Sequence, residues 1–366
     1  MITTRAFFCV PLTKGRVGKL SAIGNAPSGV LTLTRLAILL VACVIILGSW
    51  TRLADAGLGC PDWPGCYGSL VVPQTALEIQ QAQALFPDSP VEVAKGWMEM
   101  THRYFATALG FLILLIALGS WRHRQRLNYP FKHTQLLLLL VVLQGAFGAF
   151  TVTWKLWPQV VTAHLFGGFF TASLLVILLV RLSRMGREVR PLQLHHGRKS
   201  LRWWVVGALI LTLDQVFLGA WMSSNYAAMA CSDLPACNGE WWPQMNFVDG
   251  FNIAQTLGPN YLGGLMDAEA RKAIHVLHRL VAVILGGYLL IMAWQLGRQP
   301  DARLRMFAWL LVCLFGVQFC LGLANVYWHL PLPVAVAHNF VGALLFVMVI
   351  LLNYLLFSRR TTAQYS

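Results

Sequence analysis

Charge is what this sequence has least of. Only 11% of its 366 residues are Asp, Glu, Lys or Arg, against about 25% in an ordinary soluble domain, and 57% are apolar. That balance excludes a water-soluble globule. Acid is scarcer still, with 14 Asp and Glu against 28 Lys and Arg. Also missing are segments of about ten residues with alternating polarity, the mark of a membrane barrel. What the chain has instead is long apolar runs, near 33–51, 97–120, 134–153, 160–180, 203–221, 273–296, 304–323 and 333–357. Each suffices to cross a hydrocarbon core as a helix. An all-α integral membrane protein with eight transmembrane helices follows.

The net charge of +14 does not indicate nucleic acid, because the cations are scattered along loops rather than gathered on one face. Of the 28 Lys and Arg, 21 lie in the N-terminal tail, in even-numbered connections such as "WRHRQR" and "RLSRMGREVR", and in the C-terminal tail. The positive-inside rule makes those segments cytoplasmic, with both termini inside.

A basic N-terminus, the apolar run from Leu36 to Leu47 and "ADA" at 54–56 imitate a secretory leader, but the segment belongs to an internal repeat. "GCPDWPGC" (59–66) pairs with "ACSDLPAC" (230–237), "MTHRYFATALG" with "VLHRLVAVILG", "QGAFGAFTV" with "QFCLGLANV", and "VTAHLFGG" with "AVAHNFVG". The offset stays between 171 and 176 residues. Four spans separate equivalent positions, so the halves share one orientation, as in parallel repeats about an axis along the membrane normal. The expected organisation is a cytoplasmic tail (1–32), an N-terminal four-helix bundle (33–180), a linker (181–202), a C-terminal four-helix bundle (203–357) and a second tail (358–366), the tandem bundles related by pseudo-two-fold symmetry.

Ionisable groups at membrane depth are costly and mark function. His102, His164, His278 and His338 occupy repeat-equivalent places at the outer ends of spans two, four, six and eight, so each half offers two imidazoles from two helices, as bundles do for metals and cofactors. No intramembrane cysteine or carboxylate cage accompanies them, which disfavours a closed zinc or iron–sulfur site. Axial ligation of a porphyrin iron needs only two nitrogens. Arg103 and Arg279 directly follow two of the histidines and Arg52 ends the first span; each is either a partner for heme propionates or a snorkelling interface residue. Cys60 and Cys66, and Cys231 and Cys237, stand at matched spacing in the outer loops, and one bracing disulfide per half is expected. Cys43, Cys313 and Cys320 lie within spans and Cys9 in the tail, with no role assigned.

Together "TRLADAGLGCPDWPGC", "EMTHRY", "VTAHLFGG", "HRLVA" and "AVAHNFVG" resemble the heme A synthase family. The likeness covers nearly all eight spans, leaving out the first 30 residues and the C-terminal tail. It implies a membrane oxidoreductase that converts the C8 methyl of heme O to the formyl of heme A for terminal cytochrome oxidase. It further implies heme b as cofactor on His278 and His338, the substrate on His102 and His164, heme O synthase and cytochrome oxidase assembly factors as partners, and a bacterial inner membrane with the heme-ligand ends toward the periplasm. The two rivals from other classes are a dihaem b-type module fed by quinol and a heme transporter or chaperone.

Glu99 lies one helical turn before His102, where the second half has His275. This asymmetry singles Glu99 out as the acid or base of the oxidation, the alternative being an interface carboxylate paired with Arg103. His275 is expected to be a wet interface residue rather than a partner of His278. His123, His133, His195 and His196 read as solvated loop residues and His329 as solvent-facing. Asp214 is an isolated acid in the fifth span, either paired within the bundle or in water.

Overall fold

A computed structural model describes residues 25–186, 192 and 198–358. The first 24 residues with Cys9, the linker histidines His195 and His196, and the basic tail from Arg359 lie outside the described residues. Ten helices make up the described chain: α1 (Ser28–Leu53), α2 (Ala76–Leu85), α3 (Val93–Trp121), α4 (Phe131–Thr153), α5 (Pro158–Ser183), α6 (Arg198–Ser224), α7 (Phe247–Gly250), α8 (Ala268–Gly297), α9 (Ala302–Tyr327) and α10 (Leu332–Phe357). No strand accompanies them among the described residues, only two isolated bridges. All but α2 and α7 are long and apolar enough to span a bilayer, and they contain the eight apolar runs; the protein is a multi-pass membrane protein.

Helix starts follow local chemistry. Asp267 caps α8 by accepting from the Ala270 N–H, and α5 opens on Pro158, where a missing N–H costs nothing. The sequence runs did not reveal α2, which is set by a capping box between Thr75 and Glu78. At the α4–α5 and α9–α10 corners the chain turns through two successive left-handed residues, Lys155–Leu156 and His329–Leu330.

α1 packs on α3 and α5, with α4 against both of the latter; α6 packs on α8 and α10, with α9 against both. The first four and the last four spanning helices meet through α5–α10, α1–α10 and α5–α6. Apolar cores fill the end of each group away from the disulfide loops, around Ile113, Ile116 and Leu175 in one and Leu289, Met292 and Val349 in the other. Phe169 and Phe346 close the seam. Packing is thus densest below the histidines, whose rings sit nearer the outer ends.

One expectation changes. His133 is not a solvated loop residue: it lies in the first turn of α4 and is buried, with Nε2 3.0 Å from the Leu174 carbonyl and Nδ1 3.3 Å from the Arg181 guanidinium. The helix begins three residues earlier than the apolar run, which draws this ring into the bundle. Of the two places open to Asp214, the structure shows the exposed one, on α6. The exposed position of His329 agrees with the sequence reading, and Cys43, Cys313 and Cys320 all face outward.

Candidate functional site

Each half brings its two histidines together from facing helices. His102 on α3 and His164 on α5 are near enough for their charges to interact, as are His278 on α8 and His338 on α10. The reason they can approach is glycine on the neighbouring helix. A Cβ at Gly48 of α1 would lie 2.7 Å from His102 Cε1; at Gly148 it would meet His164 at 3.4 Å, at Gly219 His278 at 3.3 Å, and at Gly322 His338 at 3.2 Å. All four rings lie against a glycine, most tightly at Gly48 and with ordinary contact at Gly148.

Three of these imidazoles leave a buried ring nitrogen without the partner that such atoms ordinarily find. Nδ1 of His102, His164 and His338 is buried with no hydrogen bond. Gln144 donates to the His164 carbonyl, Gln318 lies 3.2 Å from His338 Nε2, and Gln215 lies 3.1 and 3.2 Å from the two ring nitrogens of His278; the side-chain oxygens of all three glutamines are buried and unpaired. Sequence reasoning passed over these amides, although the repeat pairs Gln144 with Gln318. Gln215 has no such match, since its counterpart is Val44. Orphaned polar atoms around paired imidazoles are what a site for a planar, axially ligated metal ring leaves when the ring is taken away. No three His, Cys, Asp or Glu side chains converge to hold a bare metal ion among the described residues.

Above the rings sit the disulfide hairpins. Cys60 is bonded to Cys66 and Cys231 to Cys237, and each pair closes a six-residue turn. The first hairpin clamps Arg103, which follows His102, and the second clamps Arg279, which follows His278. Arg103 Nη1 donates to the carbonyls of Asp62 (3.0 Å), Pro64 (3.3 Å) and Gly65, while Nη2 pairs with Glu99 at 2.5 Å. Arg279 donates to Ala236 (2.8 Å) and Cys231 (3.2 Å). Arg52 reaches the other half, donating to the Ser223 carbonyl and lying 4.1 Å over the Tyr226 ring. Nε of Arg52 and of Arg279 is buried and unpartnered, a free donor for an anion; Arg103 is committed to its loop.

Glu99 is 4% exposed. Its Oε2 accepts from the Cys60 N–H at 3.0 Å and its Oε1 holds Arg103. Here the reading of His275 is corrected: it is 2% exposed, because the outer loop covers this turn of α8. Its Nδ1 lies 3.4 Å from the Cys231 N–H and 3.1 Å from the Ala227 carbonyl. Glu99 and His275 therefore hold equivalent places beside the first cysteine of each hairpin, Glu99 by accepting from the Cys60 N–H and His275 by serving either the Ala227 carbonyl or the Cys231 N–H according to its tautomer. Nearby, Tyr67 donates to the Pro90 carbonyl; burial, then the carboxylates of Glu92, Glu99 and Asp62, push its phenol above the ordinary range and keep it a neutral donor.

The halves are also strapped together on the outside. Backbone carbonyls of Ile253 and Gln255 accept from Gln159 (2.8 Å) and Trp157 (3.0 Å), and the Tyr261 N–H donates to Lys155 (3.0 Å). A stretch of the second half thus roofs the α4–α5 corner from which the His164 helix descends.

Residues 32–350 match the family described as cytochrome oxidase assembly protein. The chain belongs to this family. A relative from Shewanella oneidensis, named heme A synthase, is 41% identical over 332 residues, covering 91% of this chain and 98% of its own length. Relatives of the same name from Halalkalibacterium halodurans (23% identical, 83% of this chain, 89% of its own) and Chelativorans sp. (28%, 81% and 82%) share the family's extent.

Proposed function

We propose that this chain is a heme A synthase, a membrane oxidoreductase taking heme O as substrate and giving heme A. One observation carries the reading: two pairs of imidazoles, each ring laid on a glycine and three of the four with a buried, unpartnered Nδ1, in a member of this family. The two groups of four spanning helices act as pseudo-two-fold-related bundles. The N-terminal one receives the substrate between His102 and His164, and the C-terminal one holds heme b between His278 and His338. Heme b, when bound, supplies one-electron redox chemistry.

The protein's own contribution is placement. Gly48, Gly148, Gly219 and Gly322 fix the ring planes; Arg52 and Arg279 present buried Nε donors to propionates. Arg103 and Glu99 lock the first hairpin over the substrate bundle and exclude water. Glu99 is a positioning residue on this geometry, since both its oxygens are taken by the hairpin and Arg103; direct proton transfer by Glu99 is the competing outcome of the variants considered below. The site ends face the periplasm, in the cytoplasmic membrane of a bacterium, with both termini inside; heme O synthase and oxidase assembly factors are the partners.

The test is pigment extraction from the full chain produced with a source of heme O, with separation by mass. Firm heme b plus heme A is expected. Two permanent b-type hemes and no formylated product would establish an electron-transfer module, and no formylated product with transient heme a carrier.

A further inference from the structure

Each disulfide hairpin turns on a two-residue bridge, Cys66 with Ser69 and Cys237 with Glu240, and each continues into two bare apolar residues. In the first half these are Leu70 (71% exposed) and Val71 (49%); in the second they are Trp241 (78%) and Trp242 (70%). They are repeat-equivalent, so the exposure recurs by construction rather than by a stray side chain.

The place of the first tip is fixed by a hydrogen bond: the Tyr104 hydroxyl donates to the Leu70 carbonyl. Tyr104 heads the exposed stripe of α3 that continues through Phe111, Leu114 and Leu118, the face this helix shows to lipid. It also follows Arg103, the last charge before the uncharged stretch Tyr104–Trp121. Those 18 residues rise about 27 Å at ~1.5 Å each, close to the ~30 Å of a hydrocarbon core. Tyr104 therefore stands at the boundary between acyl chains and headgroups. Exposed aromatics at the outer ends of other spans, Trp50, Tyr327 and Trp328, form the matching belt. On α8 the counterpart of Tyr104 is Leu280, likewise exposed and likewise first after an arginine. The first tip is thus continuous with the lipid-facing wall, at its rim, and the second holds the repeat-equivalent place, with the exposed Glu240 just before it.

We propose that both hairpins dip these tips, Leu70–Val71 and Trp241–Trp242, into the outer boundary of the bilayer, so that lipid is their partner and anchors the roof over each histidine pair. Aliphatic and indole side chains gain by leaving water there, and indole in particular favours the headgroup level.

The experiment places a nitroxide at Val71→Cys or Trp242→Cys in the full chain with Cys9, Cys43, Cys313 and Cys320 changed to Ala, both native disulfides being verified by mass mapping. In vesicles of phosphatidylcholine and phosphatidylglycerol, the ratio of collision with oxygen to collision with a water-soluble nickel chelate is expected to be several-fold higher at 71 and 242 than at the exposed Asp88→Cys. A ratio equal to that at 88 would overturn the proposal, as would a label shielded from both reagents, which would mean that protein covers the tips. The unlabelled chain provides an independent measurement. Phospholipid brominated near the headgroup end of its acyl chains should quench a fluorescence component that Trp241→Leu with Trp242→Leu removes; unchanged quenching in that double variant would also overturn it.

Discussion

At the scale of single residues, what a side chain touches separates roles that its type alone does not. An acid one turn before His102 reads as a proton carrier, yet Glu99 accepts from the Cys60 N–H and His275 stands at the equivalent place beside the Cys231 N–H. Glu99→Gln is expected to keep the b-type spectrum while heme A output falls about 10²-fold, at the lower end of what loss of a general acid or base costs. Glu99→His should recover much of that loss if grip is what matters, and none if the carboxylate moves protons. Spectra and extracted pigments from both variants decide between these. For the ligands, His278→Ala or His338→Ala should each abolish the b-type spectrum; retention in both would remove the cofactor from the second bundle. The glycines make a graded prediction. Gly48→Ala forces its methyl to 2.7 Å from His102, whereas Gly148→Ala meets His164 at 3.4 Å. Overpacking costs about 1–3 kcal/mol, so heme A output should drop strongly for the first and little for the second, with heme b unchanged in both. The carbonyls that hold Arg103 and Arg279 had no signature in the sequence, because a backbone acceptor is the same atom in every residue.

The hairpins are the elements in which short-range chemistry was most legible. Matched cysteines six residues apart were enough to anticipate the pairs, and non-reducing mass mapping should find Cys60 with Cys66 and Cys231 with Cys237. Asp233 adds a pH response to the second hairpin. Its carboxylate accepts from the Gly239 N–H at 2.8 Å and from Asn238, and these bonds, the Gly239 one foremost, hold its pKa below the ordinary aspartate value of 3.8. A lowered folded pKa means support that is complete above the unfolded value and lost as pH falls through the folded one. Protection of the Gly239 amide against deuterium exchange, corrected for intrinsic rate, should be flat above pH 3.8 and fall below it. By contrast α2 and α7 escaped the sequence reading. They are short, sit among polar residues, and owe their existence to caps and to the covers they form, not to an apolar period.

For the molecule as a whole, span number and the clustering of histidines followed from composition and the repeat, since lipid tolerates few charges and four imidazoles at matched depth stand out. An even span count puts both termini on one side, and a reporter fused after Arg360 should be cytoplasmic; a periplasmic signal would break the orientation proposed from loop charge. The seam was not legible, because Trp157, Gln159 and Lys155 bind backbone groups of a segment 94 and 98 residues away in the two side-chain bonds. That separation bears on how the protein is made. A ribosome adding about 5–20 residues per second needs roughly 5 to 20 s after completing the α4–α5 corner to produce the segment that roofs it. During that interval the first four helices can already be in the membrane, complete in their own sequence but open above His164. A membrane chaperone or insertion factor that shields unfinished helices would have this corner to guard, and the first four spans would be closed above His164 only once the sixth span begins to enter.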